Sequence, residues 1–543
     1  METLADSHTK IRQERVLLTE DLVHDILEYL AIDPRSDWNS FSEYHGEVVA
    51  SRKQLHSAAL ISRCFVHPAL NLLWRTIDSV KPLLDLLPES LLSLDDGEYT
   101  VLHRSPKAQL EAADLQRFNY YAQMVKAFCL KQPDPALKLP VYHALAHHGV
   151  PMPFFPRLQS LHIEDLSASA EDPLLFHILA PSLRRVMIST YADPKVVRTI
   201  LASLLSQAPD LCYFRSHVPL PKDAMEWVLD FDQLRRLRLD FPLCAIFQPE
   251  SKLNRLTHLT HMSLDFGAIS SADIVDNATI PCEALTRLSI TCKPSVIFSL
   301  VEALELPNIR EAILTLCSFD TLPKNRFIFA SIRRWAPTLE ALTVNGGRAM
   351  PLNAIYYHTQ KAKLSRFKRL RYFKVYGLRT NIFAPPKCEE LDFSLSTLAS
   401  ILPNVEYLSL PTWQQTISYH TLCMVLVRCR QLRFLQVGIN PQTFPPKKLG
   451  RNAFPCGVLE MLAVGDGKDF DPFLIAHHLL RLFPHLKTVL SSSERWNAVN
   501  ELVDFTRSLM MDKLNYPEVT PGFLEDFSAR WSFRPDVEGD VGE

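Results

Sequence analysis

From residue 156 to residue 492 the chain repeats one arrangement of apolar and polar positions, Leu-x-x-Leu-x-Leu, with other apolar residues admitted. The first apolar position falls at Leu158, Leu183, Leu211, Leu234, Leu259, Leu285, Ile309, Leu339, Leu370, Val405, Leu432, Leu459 and Leu486. These 13 occurrences lie on average about 27 residues apart; those at Leu211 and Leu486 are imperfect. The Leu-x-Leu pair alternates, so both side chains leave a strand on one face. Stretches between, such as the run Val197 to Leu205, carry apolar residues at helical spacing. One strand and one helix cannot bury such a face alone, so the pattern predicts stacked units sharing a continuous core. Before seven of the 13 first positions a proline stands two residues upstream: Pro156, Pro181, Pro209, Pro307, Pro337, Pro403 and Pro484. Proline cannot continue a helix and biases the residue before it toward extended geometry. It is expected to end each helix and set up the next strand.

A unit of this length and pattern resembles the leucine-rich repeat. That family carries an asparagine three residues after the last strand leucine. Here the slot holds Leu166, Tyr191, Pro242, Gly267 and Lys293, with asparagine only at Asn440. The repeats therefore resemble degenerate members, and spacings of 30–35 between Ile309 and Val405 predict irregular turns. The face opposite the inward leucines is expected to be exposed and to offer His162, Glu164, Arg215, Arg238, Asp240, Asp265, Lys374, Tyr376 and Gln436 to a partner. Their charges are mixed, so no acidic or phosphorylated ligand is singled out.

The first 90 residues carry a different pattern. In LTEDLVHDILEYL, Thr19 suits a helix N-cap, Glu20 and Asp21 suit the first turn, and Leu22, Ile26 and Leu30 form a stripe with Val23 and Leu27 beside it. A polar stretch, 31–54, precedes a second helical run from Leu55 to Phe65. Pro68 is expected at the first position of a third helix, with Ala69, Leu70, Leu73 and Trp74 on its face. Three short helices make a poor core, so this unit wants a partner surface. The blocks Leu18, Asp21, Leu22, Ile26 and Leu27, then Ala59, Leu60, Ile61, Arg63 and Phe65, then Pro68, Ala69, Leu70, Leu73 and Trp74 together resemble an F-box, in the style of F-box proteins of mushroom-forming fungi. Thr19 stands where that family usually has proline, and 31–54 is longer than its usual loop. The resemblance implies docking on the Skp-type adaptor of a cullin–RING ubiquitin ligase, with Leu18, Asp21, Leu22, Ile26, Leu27, Leu60, Ile61, Phe65, Pro68, Leu73 and Trp74 in the docking motif.

Composition narrows the chemistry. Fifteen glycines in 543 residues, about 3% against a usual ~7%, leave little for phosphate loops, dinucleotide folds or strained elbows. No P-loop, Gly-x-Ser-x-Gly elbow or His-Glu-x-x-His helix occurs. The formal charge is −2, with seven acids and two arginines between Asn515 and Glu543, so the rest of the chain is nearly balanced and no nucleic-acid field is implied. Eleven scattered cysteines, without a C-x-x-C pair, read as reduced and buried thiols such as Cys423, and imply a reducing compartment. The N-terminus lacks a signal-peptide core and no apolar run approaches a membrane span. His143 and His147 fall at i, i+4 but have no acid or cysteine at ligand spacing, so no metal site is expected there. His258 and His261 read as packed or surface histidines, and one of His477 and His478 is expected to face solvent.

The expected fold class is α/β: a charged arm at 1–17, a three-helix F-box at 18–90, a helical connector at 91–155, an irregular leucine-rich-repeat-like strand/helix solenoid at 156–492, a capping helix at 493–514 and an acidic tail at 515–543. The expected function is that of a cytoplasmic or nuclear substrate receptor of an SCF-type ligase. It would have an adaptor, through it a cullin, and an unidentified substrate protein as partners. No catalytic residue, cofactor, nucleic acid or membrane is expected. The alternative is a scaffold that binds the adaptor without joining a ligase. A hydrolase hidden in the repeats lacks any nucleophile motif.

Overall fold

The structure is a computed structural model that describes residues 20–31, 45–88, 92–95, 98–101, 112–130, 145–147, 150–166, 177–192, 194–240, 252–267, 280–317, 332–346, 367–376, 388–410, 416–445, 458–465 and 470–515. It is a mixed α/β fold built on a large parallel sheet. The chain forms two compact units, one of Met1–Phe266 with Asp273–Leu285, the other of Gly267–Ala272 with Thr286–Glu543.

The first unit opens with helices α1 (Glu20–Glu28), α2 (His45–Ile61) and α3 (Arg63–Arg75). Val23, Leu27, Leu55, Ala58, Ala69 and Leu72 bury together, with Ala31, Ala59, Phe65 and Leu73 packed around them. Arg75 ties α3 to α1 through Glu28 at 2.8 Å, and the Ser51 hydroxyl donates to the Leu30 carbonyl at 2.5 Å. Two expectations change. The second helix begins at His45, inside the stretch taken as an inserted loop. Pro68 is the sixth residue of α3, not its first. The chain leaves α2 at Ser62, whose extended backbone (φ −158°, ψ 153°) starts the new helix at Arg63. Pro68 then forgoes one helical hydrogen bond, to Cys64, and is buried with Ala69 and Leu72.

Residues 91–155, expected as a helical connector, also contain sheet. After β1 (Thr76–Ile77) and α4 (Lys81–Leu84) come an antiparallel pair β2 (Leu92–Asp95) and β3 (Glu98–Val101), then α5 (Ala112–Ala122) and β4 (Ala127–Leu130). β4 pairs in parallel with β1 and with β5 (Ser160–Leu166). The parallel order continues through β6 (Arg185–Ala192), β7 (Tyr213–Ser216), β8 (Arg236–Asp240) and β9 (His261–Asp265), with helices α6 (Pro194–Gln207) and α7 (Lys222–Val228) between strands.

The second unit continues the pattern with β10 (Arg287–Cys292), β11 (Glu311–Leu316), β12 (Ala341–Asn345), β13 (Tyr372–Tyr376), β14 (Tyr407–Leu410), β15 (Phe434–Val437), β16 (Met461–Ala463) and β17 (Thr488–Leu490), each parallel to the next. Its helices are α8 (Pro294–Ala303), α9 (Cys388–Ile401), α10 (Tyr419–Arg428), α11 (Pro472–Leu482) and α12 (Glu494–Asn515). α12 is the expected terminal helix, and it buries Trp496, Val499 and Val503. The tail after Asn515 lies outside the described residues.

Each of the 13 strands begins two residues after its first apolar position: Leu158 leads to Ser160, Leu234 to Arg236, Leu486 to Thr488. Those first positions, and the residues three further on, are buried throughout. The imperfect unit at Leu211 puts Ser216 into a leucine slot. Its hydroxyl, fully buried, donates to the Val218 carbonyl at 2.9 Å and accepts from the Val218 N–H, so the polar group is satisfied in the core. The same phase runs upstream of the array the sequence suggested. Val125 and Phe128 are buried and Ala127 opens β4. The prolines have a sharper role than ending helices. Before Leu158, Leu183, Leu211, Val405 and Leu486 the N–H of that residue bonds the carbonyl three residues back, at 3.0–3.3 Å. Proline is thus the second residue of a four-residue turn, where its fixed φ fits.

Candidate functional site

The face opposite the inward leucines carries the second, fourth and sixth residues after each first position. In the first unit, backbone register sets Cys129, His162, Met187, Arg215, Arg238 and Ser263 side by side on six successive strands. This row was expected to be exposed. His162 and Arg215 are instead 3% exposed, and Cys129 and Met187 are buried with them. Strands stand only about 4.8 Å apart, so large side chains at equal phase cover one another.

Two polar groupings occupy the row. In one, the Cys129 Sγ lies 3.5 Å from His162 Nδ1 and 3.5 Å from Glu164 Oε1, and His162 Nδ1 lies 3.7 Å from Glu164 Oε1. The other imidazole nitrogen, Nε2, is 2.9 Å from the Ser189 hydroxyl. These residues meet because Cys129 stands opposite His162, and the ladder shifts register between Ile163 and Asp165, beside Glu164.

The second grouping surrounds Asp240, whose carboxylate is hydrogen-bonded to His217 Nδ1 and lies 4.0 Å from Arg238 Nε. Burial works to raise the Asp240 carboxyl. The His217 hydrogen bond and charge, with Arg238 and Arg215, outweigh it and hold the group below the usual carboxylate range. Arg215 is also pushed down, below the usual guanidinium range, by burial and then by Arg238, against Tyr213 and Asp240. Its Nε is buried with no hydrogen-bond partner among the described residues. Asp265 stands opposite Asp240 on β9, half-buried.

In the second unit the same face is built of rings. Tyr372 stacks on Tyr407 at 4.2 Å and Tyr407 on Phe434 at 4.1 Å, with ring planes nearly parallel, and Met461 follows in register. Burial, then the Tyr407 hydroxyl, push the Tyr372 phenol up to about 12. Lys374 lies over the Tyr376 ring at 4.2 Å and 5.9 Å from the Tyr407 ring. Gln436 accepts from the Ser409 hydroxyl at 2.6 Å. One residue after each first position, Arg310, Glu340, Arg371, Glu406, Arg433, Glu460 and Lys487 alternate in sign. Arg371–Glu406 lie at 3.5 Å, Arg433–Glu460 at 3.6 Å and Lys487–Glu460 at 2.5 Å. The sequence reading missed both ladders, whose signal is the residue type at one fixed phase across successive repeats.

The structure also divides the docking motif. Leu27 and Pro68 are buried; Leu22, Phe65, Leu73 and Trp74 are half-buried, with Phe65 and Leu73 against the helical core and Trp74 4.6 Å from the Tyr121 ring. Asp21 is exposed, as are Ile26 at 45%, Leu60 at 75% and Ile61 at 72%. Leu18 and Thr19 lie outside the described residues. Among the described residues, Ile26, Tyr29, Leu30, Val49, Leu60, Ile61 and Val66 are seven of the 13 exposed large apolar side chains, all within α1–α3 and the turn after α1.

His478 is fully buried, 3.1 Å from the Pro445 carbonyl through Nε2, and burial holds its pKa down; His477, the more exposed of the pair, is half-buried. His258 is exposed and His261 half-buried; His143 lies outside the described residues. Cys129, Cys282, Cys292 and Cys429 are buried and form no disulfide, while Cys423 is half-buried and Cys317 exposed. Burial pushes the Cys282 and Cys429 thiols up to about 12, the inert range expected of core cysteines. No helix among the described residues is long and apolar enough to cross a membrane. Set against known proteins, the chain matches no protein-family model and no curated protein.

Proposed function

We propose that this chain is a substrate receptor of an SCF-type cullin–RING ubiquitin ligase. Helices α1–α3 act as an F-box that docks on a Skp-type adaptor, and the repeat array acts as a leucine-rich-repeat-like solenoid that holds a substrate protein. The observation that carries this reading is the concentration of exposed apolar side chains on α1–α3, with Leu60 and Ile61 at 75% and 72% exposure. Their helices already have a closed core of their own. Large apolar groups left outside a satisfied core mark a protein–protein contact. Leu27, Phe65, Pro68 and Leu73 hold the helices together; Asp21, Ile26, Leu60 and Ile61 meet the adaptor.

Substrate contact falls to the face opposite the leucines. The half-buried Tyr372–Tyr407–Phe434 ladder gives rigid ring surface at small entropic cost, and Lys374 and Gln436 flank it. The receptor acts by proximity, holding substrate lysines near a ubiquitin-loaded enzyme, and has no catalytic residue of its own. Adaptor and cullin place the work in the cytoplasm or nucleus.

The test is affinity purification of the full chain and of the Ile26→Asp, Leu60→Asp, Ile61→Asp triple variant. The intact chain is expected to recover a Skp-type adaptor and a cullin, and the variant neither, with unfolding midpoints alike. Recovery of the adaptor without cullin leaves a scaffold. Recovery of no adaptor by the intact chain overturns the reading.

A further inference from the structure

We propose that Cys129, His162 and Glu164 form a zinc site at the start of the parallel sheet, a property beyond the receptor reading and independent of it. Zinc binds thiolate at ~2.3 Å, imidazole nitrogen at ~2.0–2.1 Å and carboxylate oxygen at ~2.0–2.2 Å in a tetrahedron. The edges of such a tetrahedron are about 3.6 Å from sulfur to nitrogen or oxygen and about 3.4 Å from nitrogen to oxygen. The three atoms here stand 3.5, 3.5 and 3.7 Å apart. They belong to three residue types that bind zinc, and all their ligand atoms lie within 4.8 Å of one another. An ion enters this triangle with little side-chain movement.

The Ser189 hydroxyl lies 2.9 Å from His162 Nε2, and the tautomer that donates its Nε2 proton there turns the Nδ1 lone pair toward the sulfur and the carboxylate. Metal-bound histidines are oriented in this way by a partner on the distal nitrogen. The site is closed at Cys129 and His162, at 0% and 3% exposure, and open at Glu164, whose side chain is 25% exposed. One thiolate and one carboxylate neutralise a dication, so the occupied site buries no net charge. Binding releases the Cys129 thiol proton, and the fourth position, on the Glu164 side, takes water. A sulfur donor selects zinc over magnesium or calcium. Bound metal joins β4 to β5 through side chains as well as through the ladder.

The test uses the full chain, loaded with zinc and dialysed, with metal content read by mass spectrometry. About one zinc per chain is expected, and Cys129→Ser or His162→Asn should abolish retention. Cobalt loading should give a thiolate-to-cobalt charge-transfer band with the intense visible absorption of a four-coordinate ion, absent in Cys129→Ser. Because either variant disturbs buried residues, Ser189→Ala is the second arm. It removes only the outer partner and should weaken zinc about 10–100-fold while the chain stays folded. Retention of no more than trace zinc by the folded wild-type chain, or cobalt bound without the thiolate band, overturns the site.

Discussion

The same face of the repeat is used in two different ways in the two units. At the fourth residue after the first apolar position, the first unit places Cys129, His162, Met187 and Arg215, all buried. The second places Lys374 and Gln436, half-buried, and Ser409, buried, beside a half-buried column of rings two residues upstream. The inward apolar residues follow one rule in both units, since in each of them they are buried. The opposite positions obey no such rule, and there the first unit spends its side chains on internal polar networks while the second presents a stacked surface. A repeat thus specifies its backbone through one face and its chemistry through the other.

Substitutions can break or sharpen that contrast. The largest effect should come from the shared inward positions. Phe214→Ala in the first unit and Phe373→Ala in the second should each cost about 3–5 kcal/mol in denaturant unfolding. A large difference between them would mean that the inward faces are not equivalent. Next is Asp240→Asn, expected to cost about 1–3 kcal/mol, because it strips charge from His217, Arg238 and the buried Arg215. The folded Asp240 carboxyl is held below its ordinary range. Its stabilisation is therefore present above the unfolded value of about 3.9 and is lost as pH falls through the lower folded value. The variant should flatten that acid limb in an unfolding series across pH.

A comparable effect, about 1–3 kcal/mol, is expected from Tyr407→Ala, which removes both ring stacks. Each is worth about 0.5–1.5 kcal/mol beyond buried area. On the receptor reading the same change weakens substrate recovery while adaptor recovery stands. Equal loss of both would tie the ladder to folding alone. Smallest is the alternating charge ladder. Arg371→Gln should leave the unfolding midpoint unchanged in physiological salt, with any low-salt difference vanishing as ionic strength rises, since these pairs are exposed.

Much of the fold is legible in the chain. A leucine six-residue motif recurring with a proline before it implies strand, turn and phase, and each strand starts where that phase puts it. Signals that failed were those where a local rule met a competing one. Pro68 suits a helix start, yet burial with Ala69 and Leu72 holds it in mid-helix. The β4 unit lies upstream of the array and has Val125 and Phe128 in place of leucines, although their phase is intact. Without β4, Cys129 has no place beside His162, and the pair stayed invisible across 33 residues of sequence.

What the sequence determined by itself is the inward half of the molecule. Apolar periodicity is a local property, and water expels those positions whatever their neighbours are. What only the tertiary structure decided is the opposite face: that His162 and Arg215 are covered, that Cys129, His162 and Glu164 converge, and that Tyr372, Tyr407 and Phe434 stack. These depend on which residues stand side by side on neighbouring strands about 4.8 Å apart, and that is set by the register between repeats and not by order along the chain.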